Sequence, residues 1–110
     1  MSVSAPFTAT GNTVVFTAAT NAPTPVQAIS TTLGGNNYRI LNAGIVTVFL
    51  GYGTSAANAT SNAAVITSTG TSFPILPGTD EIISFVPNAY FTGVTSTSSA
   101  VIYVTPGDGA

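Results

Sequence analysis

Four of the 110 residues carry a charge: Arg39, Asp80, Glu81 and Asp108. The carboxylates are the only groups that suggest acid–base or metal chemistry. Asp80 and Glu81, with Asp108, could offer oxygens to a cation or form a dyad for glycoside cleavage. Adjacent residues on a strand point to opposite faces, which makes a poor shared site. No spacing resembles an EF-hand loop. A glycosidase dyad needs an aromatic-lined sugar cleft, and the chain has no Trp. The acids are therefore expected to be solvated loop charges, with no metal and no cofactor. Without His there is no base for a Ser or Cys nucleophile. Without Cys there is no disulfide or thiolate metal site. One arginine cannot make the basic patch that nucleic acid requires. The chain is expected not to be an enzyme.

Arg39 lies between Tyr38 and Ile40 in a strand-like run. Three readings stay open. It pairs internally with Asp80, Glu81 or Asp108, it meets an acidic residue of a partner, or it is a plain exposed strand residue. Gly51-Tyr52-Gly53 and Gly34-Gly35-Asn36 read as turn glycines, since no Lys follows and no helix is expected there. Asn58-Ala59-Thr60 fits a glycosylation sequon, but residues 1–6 do not read as a secretory signal and a chance triplet is expected.

These residues need a scaffold, and the composition points to strands. Ser and Thr supply 30 residues, 45% of the chain is hydrophobic, and Gly, Pro and Asn interrupt it at short intervals. The length suits one domain. Strands are expected at 12–18, 26–32, 37–42, 45–52, 63–68, 72–76, 81–86, 90–95 and 100–105, making eight or nine. Residues 55–64 are alanine-rich and could form a helical turn, but their Ser, Thr and Asn favour a loop. The expected organisation is an N-terminal arm over 1–11, an antiparallel β-sandwich over 12–105 and a mobile tail over 106–110. No run approaches the roughly 20 apolar residues of a membrane helix, so no membrane partner and cytoplasmic synthesis are expected.

Several strands are apolar on both faces, notably 45–52, 82–86 and 101–104. One sandwich face should meet water, so a second cover is implied. A chain without helices has no material for it, which points to a neighbouring subunit. The polar positions are Thr and Ser, which can be buried without desolvating a charge. No Lys guards the sheet edges, and the net charge is only −2.

Tyr38-Arg39-Ile40-Leu41-Asn42-Ala43-Gly44 followed by Val48-Phe49-Leu50-Gly51-Tyr52-Gly53 resembles small β-proteins on the heads of tailed bacteriophages. Phe73-Pro74-Ile75-Leu76-Pro77-Gly78 and the run from Val101 to Gly109 extend the likeness to about residues 36–109. The resemblance is to capsid cement or decoration proteins, a family without a catalytic motif. It implies a jelly-roll-like sandwich, although strand count alone leaves other Greek keys open. It also implies a homo-oligomer, dimer or trimer, bound to major capsid protein on the outer capsid surface of the virion. Candidate contact residues are Arg39, Tyr38, Tyr52, Tyr90 and Tyr103. The alternative is a phage fibre or adhesin domain whose loop over 55–62 touches a host surface glycan.

Overall fold

A computed structural model describes residues 6–31 and 35–109. Among the described residues, nine strands form two antiparallel sheets: β1 (Thr8–Ala9), β2 (Val14–Ala18), β3 (Val26–Gln27), β4 (Asn37–Asn42), β5 (Val48–Gly53), β6 (Phe73–Ile75), β7 (Asp80–Ser84), β8 (Tyr90–Val94) and β9 (Ala100–Asp108). One helix, α1 (Ala56–Asn62), lies between β5 and β6.

The topology follows from one long hairpin. β2 to β5 run out and β6 to β9 return, so that β2 pairs with β9, β3 with β8, β4 with β7 and β5 with β6. This ribbon is then wound, adding the pairs β4–β9 and β5–β8. The result is a five-stranded sheet, with β9 flanked by β4 and by β1 and β2, and a four-stranded sheet ordered β3-β8-β5-β6. This winding is that of a jelly roll.

Alternation drives the packing. In β4, Tyr38, Ile40 and Asn42 are buried while Arg39 and Leu41 are exposed. Ile102 and Val104 of β9 join Tyr38 and Ile40 on one side of the core, facing Leu50, Ile75 and Phe91 on the other. The Tyr38 and Phe91 rings meet edge-on across the sheets at 4.8 Å, a geometry that favours the electropositive ring edge against the opposing π face.

Several expectations change. The strand expected over 45–52 starts at Val48, and Ile45 stands 85% exposed in the preceding turn. The side chain of Asn42 fixes that turn, donating to Val46 O and accepting from Gly44 N–H, both at 2.9 Å. The strand expected over 26–32 stops at Gln27. Ala28 N–H then turns to Ala89 O, and Ser30 bridges Gly11. Residues 63–68 form no strand; they follow α1 and are tied back by Ser72 Oγ, which donates to Ala64 O at 2.6 Å.

At the other end of the chain, the tail expected from 106 is strand through Asp108. Thr10 N–H bonds Pro106 O, and Gly107 and Asp108 pair with β1. The arm expected over 1–11 therefore contributes an edge strand at Thr8–Ala9, while residues 1–5 lie outside the described residues, as does Gly34 of the expected Gly34-Gly35-Asn36 turn. Between Ala9↔Gly107 and Val14↔Val104 the edge strand spends two more residues than β9, which is a bulge.

Residues 55–64, expected as a loop, contain α1. Ser55 caps it by accepting Asn58 N–H at 3.2 Å. Asn62 anchors its last turn by donating to Tyr52 O at 3.0 Å. Docking on the sheet outweighs the weak helix propensity of Asn, Thr and Ser.

Candidate interaction surface and cleft

The outer faces of the two sheets differ. On the five-stranded sheet, Val15, Tyr103, Leu41 and Asp80 lie side by side across β2, β9, β4 and β7. Thr105, Arg39 and Ile82 form the adjacent row. Val15 is 51% exposed, and Leu41, Ile82 and Tyr103 are each close to 40%. Thr13 and Thr105 share a hydroxyl hydrogen bond of 2.7 Å beside them. Arg39 Nε donates to Asp80 Oδ2 at 2.8 Å, with both side chains about half exposed. The patch is thus apolar and hydroxylated, with one ion pair that neutralises itself. Nothing among the described residues covers it.

The outer face of the four-stranded sheet is covered by the chain itself. Gly51 and Gly53, alternate residues of β5, leave room for α1. A Cβ at Gly51 would collide with Ala59 O and Ala63 N and sit 2.6 Å from Ala63 Cβ. Ala59 is fully buried in this seat. On β8, Thr92 is also buried, and its hydroxyl donates to Pro23 O at 2.8 Å. The expectation that the second face of 45–52 needs a neighbouring subunit is therefore corrected: α1 and the β2–β3 loop supply the cover. Gly51→Val should destabilise the protein by about 2 kcal/mol through overpacking. Amide exchange in α1 should rise with it. If exchange in α1 does not change, the helix does not depend on the gap.

The candidate contact residues separate accordingly. Arg39 and Tyr103 share the uncovered face. Tyr38 is a correction: it is wholly buried and offers no surface to a partner. Its hydroxyl donates to Val86 O and accepts Ala89 N–H at 3.1 Å. Tyr52 is half-buried and packs on Phe85 and Phe91. Tyr90 is half-buried in β8, registered between Gln27 and Gly53. The acids do not converge. Asp80 binds Arg39, Glu81 stands opposite Ile40 and is exposed, and Asp108 Oδ1 accepts Gly35 N–H at 2.9 Å.

Burial raises the Tyr38 phenol above its ordinary value, against a smaller lowering by the Ala89 N–H. The folded state keeps that proton at a pH where the unfolded chain has released it. Stability should therefore fall as pH rises above about 10, the ordinary tyrosine value. A Tyr38→Phe variant should lose this part of the alkaline fall in urea titrations at successive pH values.

A second feature was met only in part by the sequence reading, which singled out Tyr52 and the loop over 55–62 but not Thr71 or Phe85. Where α1 leaves β5, Tyr52, Thr54, Asn58, Asn62, Thr71 and Phe85 line an open cleft of about 470 Å³. Phe85 comes from the β7–β8 connection and Thr71 from the segment before β6, so only the fold brings them together. Tyr52 and Phe85 meet edge-on at 4.9 Å. The legible signal was Ser55, a capping residue ahead of an alanine-rich run.

No protein-family model, curated protein or solved structure matches this chain.

Proposed function

We propose that this chain is a structural virion protein that binds the outside of a bacteriophage capsid and cements neighbouring major capsid protein subunits. The observation that carries the reading is the uncovered face around Val15, Leu41, Ile82 and Tyr103. Fold alone assigns no function, so the argument rests on that surface. Contiguous exposed apolar area marks an interaction site on a small soluble domain. Its threonines can be buried against hydrogen-bonding partners without desolvating a charge, and the Arg39–Asp80 pair enters an interface already paired, which offsets part of its desolvation. The resemblance of residues 36–109 to phage decoration proteins supports the same reading, as does a chain with four charges. The protein acts without turnover, as a dimer or trimer at local symmetry axes. Each contact is weak, and many copies on one closed shell act together.

The test is reconstitution. Purified protein added to heads that lack it should raise the temperature and lower the salt at which they release DNA. The double variant Leu41→Asp, Tyr103→Ser, altered only at exposed positions, should fold and fail to bind. Heads that withstand heat and low salt equally well without the protein would refute the cement role.

A further inference from the structure

We infer that the cleft beside α1 is a binding site for a neutral saccharide. The inference does not rest on the capsid reading, because the cleft and the docking face lie on different sheets.

The first argument is the lining. Tyr52 and Phe85 present half-buried aromatic surface, which suits the C–H face of a pyranose. Around them stand two amides and two hydroxyls. Asn58 Nδ2 donates to Thr54 Oγ1 at 3.3 Å and Asn62 Nδ2 to Tyr52 O at 3.0 Å. Each of these bonds uses one amide hydrogen and orients the group. Each amide keeps a second hydrogen and a carbonyl oxygen, and among the described residues no partner reaches that oxygen. Thr71 donates to Asn62 O at 3.2 Å, and its oxygen remains an acceptor. A fixed amide that both donates and accepts matches vicinal sugar hydroxyls.

The second argument is charge. Arg39 and Asp80 occupy the outer face of the other sheet, Glu81 lies in β7, and Asp108 is held by Gly35. None lines the cleft. A phosphate, a sulfate or a sialic acid would find no cation there, and an amine would find no carboxylate. The volume of about 470 Å³ falls within the ordinary range of small-ligand sites. Affinity for one unit is expected to be millimolar.

The test uses the full chain. Neutral hexoses and N-acetylhexosamines, with sialic acid as the anionic control, are titrated while backbone amide resonances are followed. Neutral sugars should shift Tyr52, Thr54, Asn58, Asn62 and Phe85, and sialic acid should not. Asn58→Ala, at an exposed helix position, should keep the spectrum of a folded protein and weaken binding at least fivefold. Tyr103→Ser, on the opposite face, should bind sugar as the parent does. Absence of shifts with every neutral sugar overturns the inference. So does binding that Asn58→Ala leaves intact, or a preference for the anionic sugar. Head stabilisation by the Asn58→Ala protein should be normal, so failure here is distinct from failure of the cement role.

Discussion

Tyr38→Ala should lower the unfolding free energy by about 4 kcal/mol, the range of a large buried aromatic truncated to a methyl group. Tyr38 lies at the centre of the sandwich, fully buried and edge-on to Phe91 of the opposite sheet. Its removal opens a cavity that neither sheet can close. The hydroxyl has a separate role. It accepts Ala89 N–H at 3.1 Å and donates to Val86 O, so one side chain in β4 holds both ends of the β7–β8 connection. Tyr38→Phe keeps the ring and leaves the buried Ala89 N–H without that partner, at a cost of about 2 kcal/mol. Urea denaturation of the two variants separates the contributions. A Tyr38→Phe protein as stable as the parent would mean that the hydroxyl holds nothing. Phe85 sits next to Val86, so this variant should also weaken sugar binding in the cleft.

Asn42→Ala comes next, at about 3 kcal/mol. Asn42 is fully buried at the end of β4. Its amide donates to Val46 O and to Ile75 O, each at 2.9 Å, and its oxygen accepts Gly44 N–H at 2.9 Å. The Ile75 bond crosses from the five-stranded sheet to β6 of the other. The backbone of Asn42 also closes the β6–β7 turn, through Thr79 O at 3.0 Å and Gly78 N–H at 2.9 Å. Truncation strips the buried Ile75 O and the part-buried Val46 O and Gly44 N–H of their partner; a fully buried unmet group costs about 1–3 kcal/mol and the half-buried ones less. Asn42→Asp is the sharper variant. A carboxylate has nearly the same shape but cannot donate, and it faces two carbonyl oxygens. It should be at least as damaging as alanine. A loss below about 0.5 kcal/mol in either variant, measured by thermal and urea unfolding, would show that Asn42 does not join the sheets.

The strands were legible wherever one face was clearly wet. β4 was bounded correctly because Arg39 and Leu41 alternate with Tyr38, Ile40 and Asn42. The same parity bears on the tyrosines. A charged Arg39 pointing outward forces Tyr38 inward, so Tyr38 was a core residue by a rule already in hand. β5 was harder. Its apolar residues on both faces signalled a second cover, but the source of the cover was local. Gly51 and Gly53, spaced to clear one face of a strand, and the small residues that follow were the available signs of a docked helix. They were obscured because Ser, Thr and Asn within 55–64 argue for a loop when propensity is read alone. β9 ran past its expected end because Pro106 and Gly107 usually punctuate a chain. Pairing with β1 and β4 overrides that tendency, and β1 is not recognisable until its partner is known. Of the cleft, Tyr52 and the 55–62 loop were singled out from the sequence, but Thr71 and Phe85 could not be joined to them because the residues come from three separated segments.

The winding of the ribbon has a consequence for biosynthesis. β9 is last of the nine in chain order, yet it is interior to its sheet and pairs with β1, β2 and β4. A nascent chain that has emerged only to residue 99 therefore holds strands whose common partner is still inside the ribosome. Contacts so distant in sequence close slowly, and half-made sheets expose unguarded edges. The five-stranded sheet can be completed only once β9 is available to its three partners.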